Sequence, residues 1–95
     1  MKIVITGSNG FIGKNLVKYL RKYKYQIYKL SIDFNNKNAK ELIHKILIEL
    51  KPNCIIHLAG VAHNKYYDDK SIININTNYT SYLTDLCNML NIKKF

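Results

Sequence analysis

Gly7, Gly10 and Gly13 are the residues whose type and spacing most directly suggest chemistry. They follow a short β-branched run, Ile3-Val4-Ile5, and precede Ile12, Leu16, Val17 and Leu20, which fall at helical spacing opposite Lys14, Lys18 and Arg21. In this strand, turn and helix setting, Gly7-Ser8-Asn9-Gly10-Phe11-Ile12-Gly13 predicts a turn that holds a pyrophosphate. Gly7 permits the sharp exit from the strand. Gly10 removes a side chain so that backbone N–H groups can approach the ligand, and Gly13 lets helix and strand pack closely. The free N–H groups and dipole at the helix start favour a negative charge there. Glycines serving only a tight turn are the plainer alternative, but three at this spacing exceed what turning requires. A P-loop fails twice: its first glycine would fall on Ser8, and the hydroxyl expected after Gly13-Lys14 is replaced by Asn15.

The elements that must position this turn follow from periodicity. Tyr25 to Ile32 alternates with a period near two and predicts a second strand. A polar break from Asp33 to Asn38 leads into a helix over Ala39 to Leu50, whose face is Leu42, Ile43, Ile46, Leu47 and Leu50, and Lys51-Pro52-Asn53 ends it. Cys54-Ile55-Ile56 predicts a third buried strand. A polar and aromatic loop runs from Val61 to Lys70, and Ile72, Ile75, Tyr79, Tyr82, Leu83, Leu86 and Leu90 trace a third helix to about Asn91. The expected fold is α/β: a partial Rossmann fold with a three-stranded parallel sheet, order 3-2-1, and three helices. That order leaves the first strand with an open edge, so the chain reads as truncated. Pairing between copies near Lys2 to Thr6, giving a homo-oligomer or aggregate, is a further expectation.

The chain of 95 residues carries 15 Lys and Arg against 6 Asp and Glu, a formal charge of +9. Arg21 is its sole arginine and the lysines are scattered, so neither a nucleic acid nor a membrane surface is the expected partner; an anionic small ligand fits better. The two cysteines, Cys54 and Cys87, lie in apolar stretches, which suits a reduced protein. The N-terminal apolar run is too short for a secretory segment, and no run approaches the roughly 18 apolar residues of a membrane span. A cytoplasmic location is expected.

The spacing GxxGxxG differs from the GxGxxG of ordinary dehydrogenases, and Thr6-Gly7-Ser8-Asn9-Gly10-Phe11-Ile12-Gly13 resembles the TGxxGFIG signature of the extended short-chain dehydrogenases, the NAD(P)-dependent epimerase/dehydratase family. Lys51-Pro52-Asn53-Cys54-Ile55-Ile56-His57-Leu58-Ala59-Gly60 is similar to that family's KPDxVIHLAA segment. Asn76-Thr77-Asn78-Tyr79-Thr80 is similar to NVxGT, and Ile92-Lys93-Lys94-Phe95 to the VKRF before the next strand. The resemblance implies an NAD or NADP cofactor and, in the full-length enzyme, a nucleotide-sugar substrate. It implies that Asp33-Phe34 meets the adenine, and that Leu58, Ala59 and Gly60 pass under the ribose and nicotinamide. Asn76 would brace the site by bonding to backbone. The family's ribose-binding acid falls on Ser31, which leaves NAD against NADP open, and Lys29 could face a 2′-phosphate. His57 reads as a packed strand-end residue, while His63 and Tyr66-Tyr67 lie in a loop that could reach substrate.

The family's chemistry is hydride transfer at a sugar carbon, with a YxxxK tyrosine as base. Tyr66 and Lys70 carry those letters but precede the third helix, the wrong place in the family's order, so no catalytic residue is assigned, nor any metal ligand. Residues 1–95 then read as the N-terminal half of an NAD(P)-binding domain, from either a sugar-nucleotide enzyme or a short dinucleotide-binding protein without catalysis.

Overall fold

A computed structural model describes residues 1–61 and 67–95. Strand β1 (Lys2–Thr6) leads through the glycine turn into helix α1 (Phe11–Arg21), then β2 (Gln26–Leu30), α2 (Ala39–Leu50) and β3 (Cys54–His57). The last helical run comprises α3 (Asp69–Ile73), a π-helical turn (Asn74–Asn78) and α4 (Tyr79–Leu90). The long third helix expected from the apolar spacing is therefore present, with a π-helical turn inside it.

All three strands are parallel. β1 pairs with β2 from Lys2 opposite Gln26 to Thr6 opposite Leu30, and with β3 from Ile3 opposite Cys54 to Thr6 opposite His57. The order is β2-β1-β3, not 3-2-1. The segment after β2 turns at Asp33, whose carboxylate accepts the Asn35 N–H at 3.0 Å, and α2 then carries the chain back across the sheet to the other side of β1. Parallel crossovers are right-handed, so reversing direction puts the helix on the opposite face. The apolar clusters show this split. Ile3 and Ile5 pack with Val17 on the α1 face, while Val4 and Ile55 pack with Ile43, Leu47, Leu83 and Leu86 on the face of α2 and α4.

β1 is thus the central strand, with both edges paired and both faces covered, which accounts for its unbroken apolar run. The expected open edge on β1, and pairing between copies at Lys2 to Thr6, are overturned by this topology. The outer side of β3 is itself partly met by the chain beyond α4: the Ile55 N–H donates to the Lys94 carbonyl at 3.0 Å, in a parallel bridge between Cys54 and Lys94.

Two residues assigned to helix faces lie elsewhere. Ile12 is 68% exposed and Leu42 46%, because the buried stripe of α1 runs through Gly13 and Val17 and that of α2 through Ala39, Ile43 and Leu47. Cys54 and Cys87 are both free thiols, and burial raises the pKa of each. Among the described residues no helix is long and apolar enough to cross a membrane, and no cluster of His, Cys, Asp and Glu could hold a metal ion.

Candidate functional site

The chain leaves β1 toward β2 and leaves β3 in the other direction, so the loops after these neighbouring strands diverge at their C-terminal ends. A crevice at such a switch point is where open α/β sheets bind ligands. Here it is a cleft of about 300 Å³ lined by Gly7, Gly10, Asp33, Phe34, Leu58, Ala59, Gly60 and Tyr79, among others. An adjoining lobe of about 410 Å³ shares Gly7, Gly10, Asp33, Ala59 and Tyr79 and adds Ser8, Asn9 and Ser31.

The three glycines play different parts. Gly7 has φ +66°, and a Cβ there would lie 2.6 Å from the Leu58 carbonyl carbon and the Ala59 nitrogen. A Cβ on Gly13 would collide with the Gly7 carbonyl oxygen and approach the Ser8 Cα at 2.7 Å. Both are glycine because the chain itself needs the space. Gly10 has φ −73°, and a Cβ there would meet only the Gly7 oxygen at 3.5 Å, an ordinary contact. Nothing within the described chain requires glycine at position 10. What the missing side chain opens is the cleft, beside the N-terminus of α1, whose cap Gly10 supplies no side-chain hydrogen bond and whose first backbone bond is Lys14 N–H to the Gly10 carbonyl at 2.9 Å.

The floor of the cleft is held by a directed hydrogen-bond chain. Thr6 Oγ1 accepts the Leu58 and Ala59 N–H groups, each at 3.1 Å, so its own proton goes to His57 Nδ1 at 2.6 Å. That leaves the imidazole proton on Nε2, which donates to Thr80 Oγ1 at 3.0 Å, and the Thr80 hydroxyl donates to the Asn76 carbonyl at 3.3 Å. The arrangement needs a neutral ring, and burial lowers the His57 pKa below its ordinary value, in the same direction. His57 is accordingly a packed strand-end residue with both nitrogens engaged. Asn76, on the π-helical turn, binds Val61 through both of its side-chain polar atoms and so fixes the end of the Leu58–Val61 segment.

The structure therefore brings Gly7, Ser8, Asn9, Gly10, Ser31, Asp33, Phe34, Leu58, Ala59 and Gly60 around one divided cleft. Phe11, 85% exposed, and Ile12 stand outside it on the first turn of α1, and Gly13 is buried beneath the turn. Asn76 acts behind the lining. Lys29 is exposed on β2 and lines neither lobe. Tyr67 reaches the cleft, whereas His63 and Tyr66 lie outside the described residues. Tyr79 and Ile75, on the apolar face of the third helix, also line the cleft without a site role expected from the sequence; for Tyr79 the available signal is its hydroxyl, since a tyrosine on a buried stripe needs a partner.

Over 66 residues the chain is 36% identical to the GDP-6-deoxy-D-talose 4-dehydrogenase of Aggregatibacter actinomycetemcomitans, a stretch taking in 64% of this chain and 21% of that protein. The UDP-glucose 4-epimerase of Thermus thermophilus, solved with NAD, matches 98% of this chain with a TM-score of 0.84 at 20% identity. The dTDP-4-dehydrorhamnose reductase of Bacillus anthracis, solved with NADP, matches 98% with a TM-score of 0.81 at 23% identity. At these identities the structural likeness shows the fold. The chain spans 35% and 34% of those two structures, about a third of their length. The model of the NAD dependent epimerase/dehydratase family matches residues 3–95, and the chain belongs to that family.

Proposed function

We propose that residues 1–95 are the N-terminal half of an NAD(P)-binding domain and act as the cofactor-holding part of an epimerase, dehydratase or reductase of nucleotide sugars. The observation that carries this is the contrast among the glycines: Gly7 and Gly13 are walled in by the chain, while Gly10, which lines the cleft, has room for a Cβ. A dinucleotide fits such a cradle. Its pyrophosphate would lie against Gly7 to Gly10 and the start of α1, its adenosine beside Ser31, Asp33 and Phe34, and its nicotinamide half over Leu58 to Gly60. When bound, the nicotinamide supplies hydride exchange with a sugar carbon. The residues of this chain bind and orient. Asn76 and the Thr6–His57–Thr80 chain keep the Leu58–Val61 backbone in place, and Asp33 offers an acceptor at the cleft rim. No base of the YxxxK type is assigned within residues 1–95.

Titration of the purified protein with NADH and NADPH, followed by calorimetry, tests the reading. Saturable binding is expected, and Gly10→Val should abolish it with the thermal melting profile preserved. Unchanged affinity in that variant would refute the assignment of the glycine turn.

A further inference from the structure

Tyr79 is 1% exposed, and its hydroxyl is the buried side-chain polar atom that finds no hydrogen-bond partner among the described residues. Such a group is costly: a buried donor left unmade loses its hydration and gains nothing in return. The ring is held from two sides. Phe34 stacks on it with centroids 4.6 Å apart and planes 14° from parallel, and His57 meets it edge-on at 4.8 Å. Tyr79 lines both lobes of the cleft, each of which is bounded by Gly7, Gly10, Asp33 and Ala59. In the NVxGT pattern its position is that of the glycine, so a large ring with a polar end stands where the pattern has no side chain.

We infer that the Tyr79 hydroxyl is a ligand-binding donor, which completes its hydrogen bonding by donating to an acceptor on the adenosine-diphosphate half of a dinucleotide seated in the cleft. This rests on the cofactor-binding reading above and adds to it a residue and the half of the ligand it recognises. The half is set by the stacking partner and the second lobe: Tyr79 lies against Phe34, which the reading above puts beside the adenosine, and it lines the lobe formed by Ser8, Asn9, Ser31 and Asp33. Burial pushes its pKa up to about 12, so the hydroxyl keeps its proton at physiological pH and acts as a neutral donor.

The test is Tyr79→Phe, which keeps the ring and both aromatic contacts. In the unliganded protein the variant should melt a few degrees higher, because an unpartnered buried hydroxyl has been removed. Its affinity for ADP-ribose and for the intact dinucleotide should each fall by about 3- to 10-fold, the range of one net hydrogen bond. Higher melting with weaker binding is a combination that a purely structural hydroxyl does not produce. Loss of both stability and affinity, or unchanged affinity for ADP-ribose, would overturn the Tyr79 assignment while leaving dinucleotide binding itself intact. Failure of the unmodified protein to bind either ligand would overturn the cofactor reading and the Tyr79 assignment together.

Discussion

The Asn76 side chain grips both backbone polar groups of Val61: Oδ1 accepts the Val61 N–H and Nδ2 donates to the Val61 carbonyl, each at 2.7 Å. A side-chain amide is suited to this because it offers one acceptor and one donor in a single plane. The contact ties the π-helical turn to the segment running under the cleft, so it links the helix carrying Tyr79 and Thr80 to the loop carrying Leu58, Ala59 and Gly60.

Asn76→Ala should therefore cost about 1–2 kcal/mol of stability from the two lost bonds and weaken dinucleotide binding. Asn76→Asp should be no better at neutral pH, since a carboxylate accepts from the Val61 N–H but repels the carbonyl it faces. Melting and calorimetry on the three proteins check the ranking. An aspartate variant indistinguishable from the native protein would show that the donor half of the contact is idle.

The glycines give a second, sharper contrast. Gly7→Ala places a Cβ against the Leu58 and Ala59 backbone at a positive φ, and should destabilise the fold by roughly 2–4 kcal/mol. Gly10→Ala meets only an ordinary contact and should change stability by less than about 1 kcal/mol, yet reduce dinucleotide affinity. Denaturant melts paired with binding titrations separate the two effects. Equal stability losses at both positions would remove the structural distinction between them.

The parts of this molecule legible in its sequence are those with a fixed backbone meaning. The strand, glycine turn and first helix were readable because Gly7 and Gly13 answer to sterics that any chain making this turn must satisfy. The second helix matched its expected bounds, Ala39 to Leu50, because its stripe is regular and Lys51, in the left-handed region at φ +49°, with Pro52 after it, cannot extend it. Strand order was not legible: Ile3-Val4-Ile5 has the same apolar pattern whether β3 lies beyond β2 or beside β1. Only the direction in which α2 crosses the sheet decides that, and periodicity is blind to it. The same blindness hid Tyr79, whose place on a buried stripe says nothing of where its hydroxyl ends. Ser8, 3% exposed, came with the glycine turn, whereas the adenine role of Asp33 rests on the family resemblance rather than on any pattern of its own.

The neutral His57 ring predicts a pH dependence. Its pKa in the fold lies below the ordinary 6.5 because of burial, so in the window between the two values the unfolded chain takes up a proton that the native chain does not. Stability is fully present above about pH 6.5 and is lost as pH falls toward the lowered value. The ring is only partly buried, so the effect on melting temperature is modest. Asp68, whose pKa is lowered by its bonds to Ser71, responds only below 3.8 and does not intrude. His57→Gln should flatten the difference between pH 7.5 and pH 5.5; an equally steep variant would place the proton elsewhere.

The last prediction concerns which dinucleotide is preferred. In strand-turn-helix cofactor sites an acidic residue about 20 residues beyond the glycine turn bonds the adenosine ribose hydroxyls and thereby excludes a 2′-phosphate. Ser31, just past the end of β2, lines the lobe shared by Ser8 and Asn9 and is exposed, so no carboxylate occupies that place. The nearest acid, Asp33, stands two residues on and holds the Asn35 N–H. Ser31→Asp should restore the exclusion. A carboxylate within about 4–6 Å of a 2′-phosphate repels it, and NADPH affinity should fall by about tenfold or more, while NADH affinity holds or improves through the added ribose bond. Raising the salt concentration should shrink the NADPH penalty, as screening requires at an exposed site. Parallel titrations of both cofactors at two ionic strengths decide it: a variant that changes NADH and NADPH binding equally would show that position 31 does not discriminate at the ribose 2′ position.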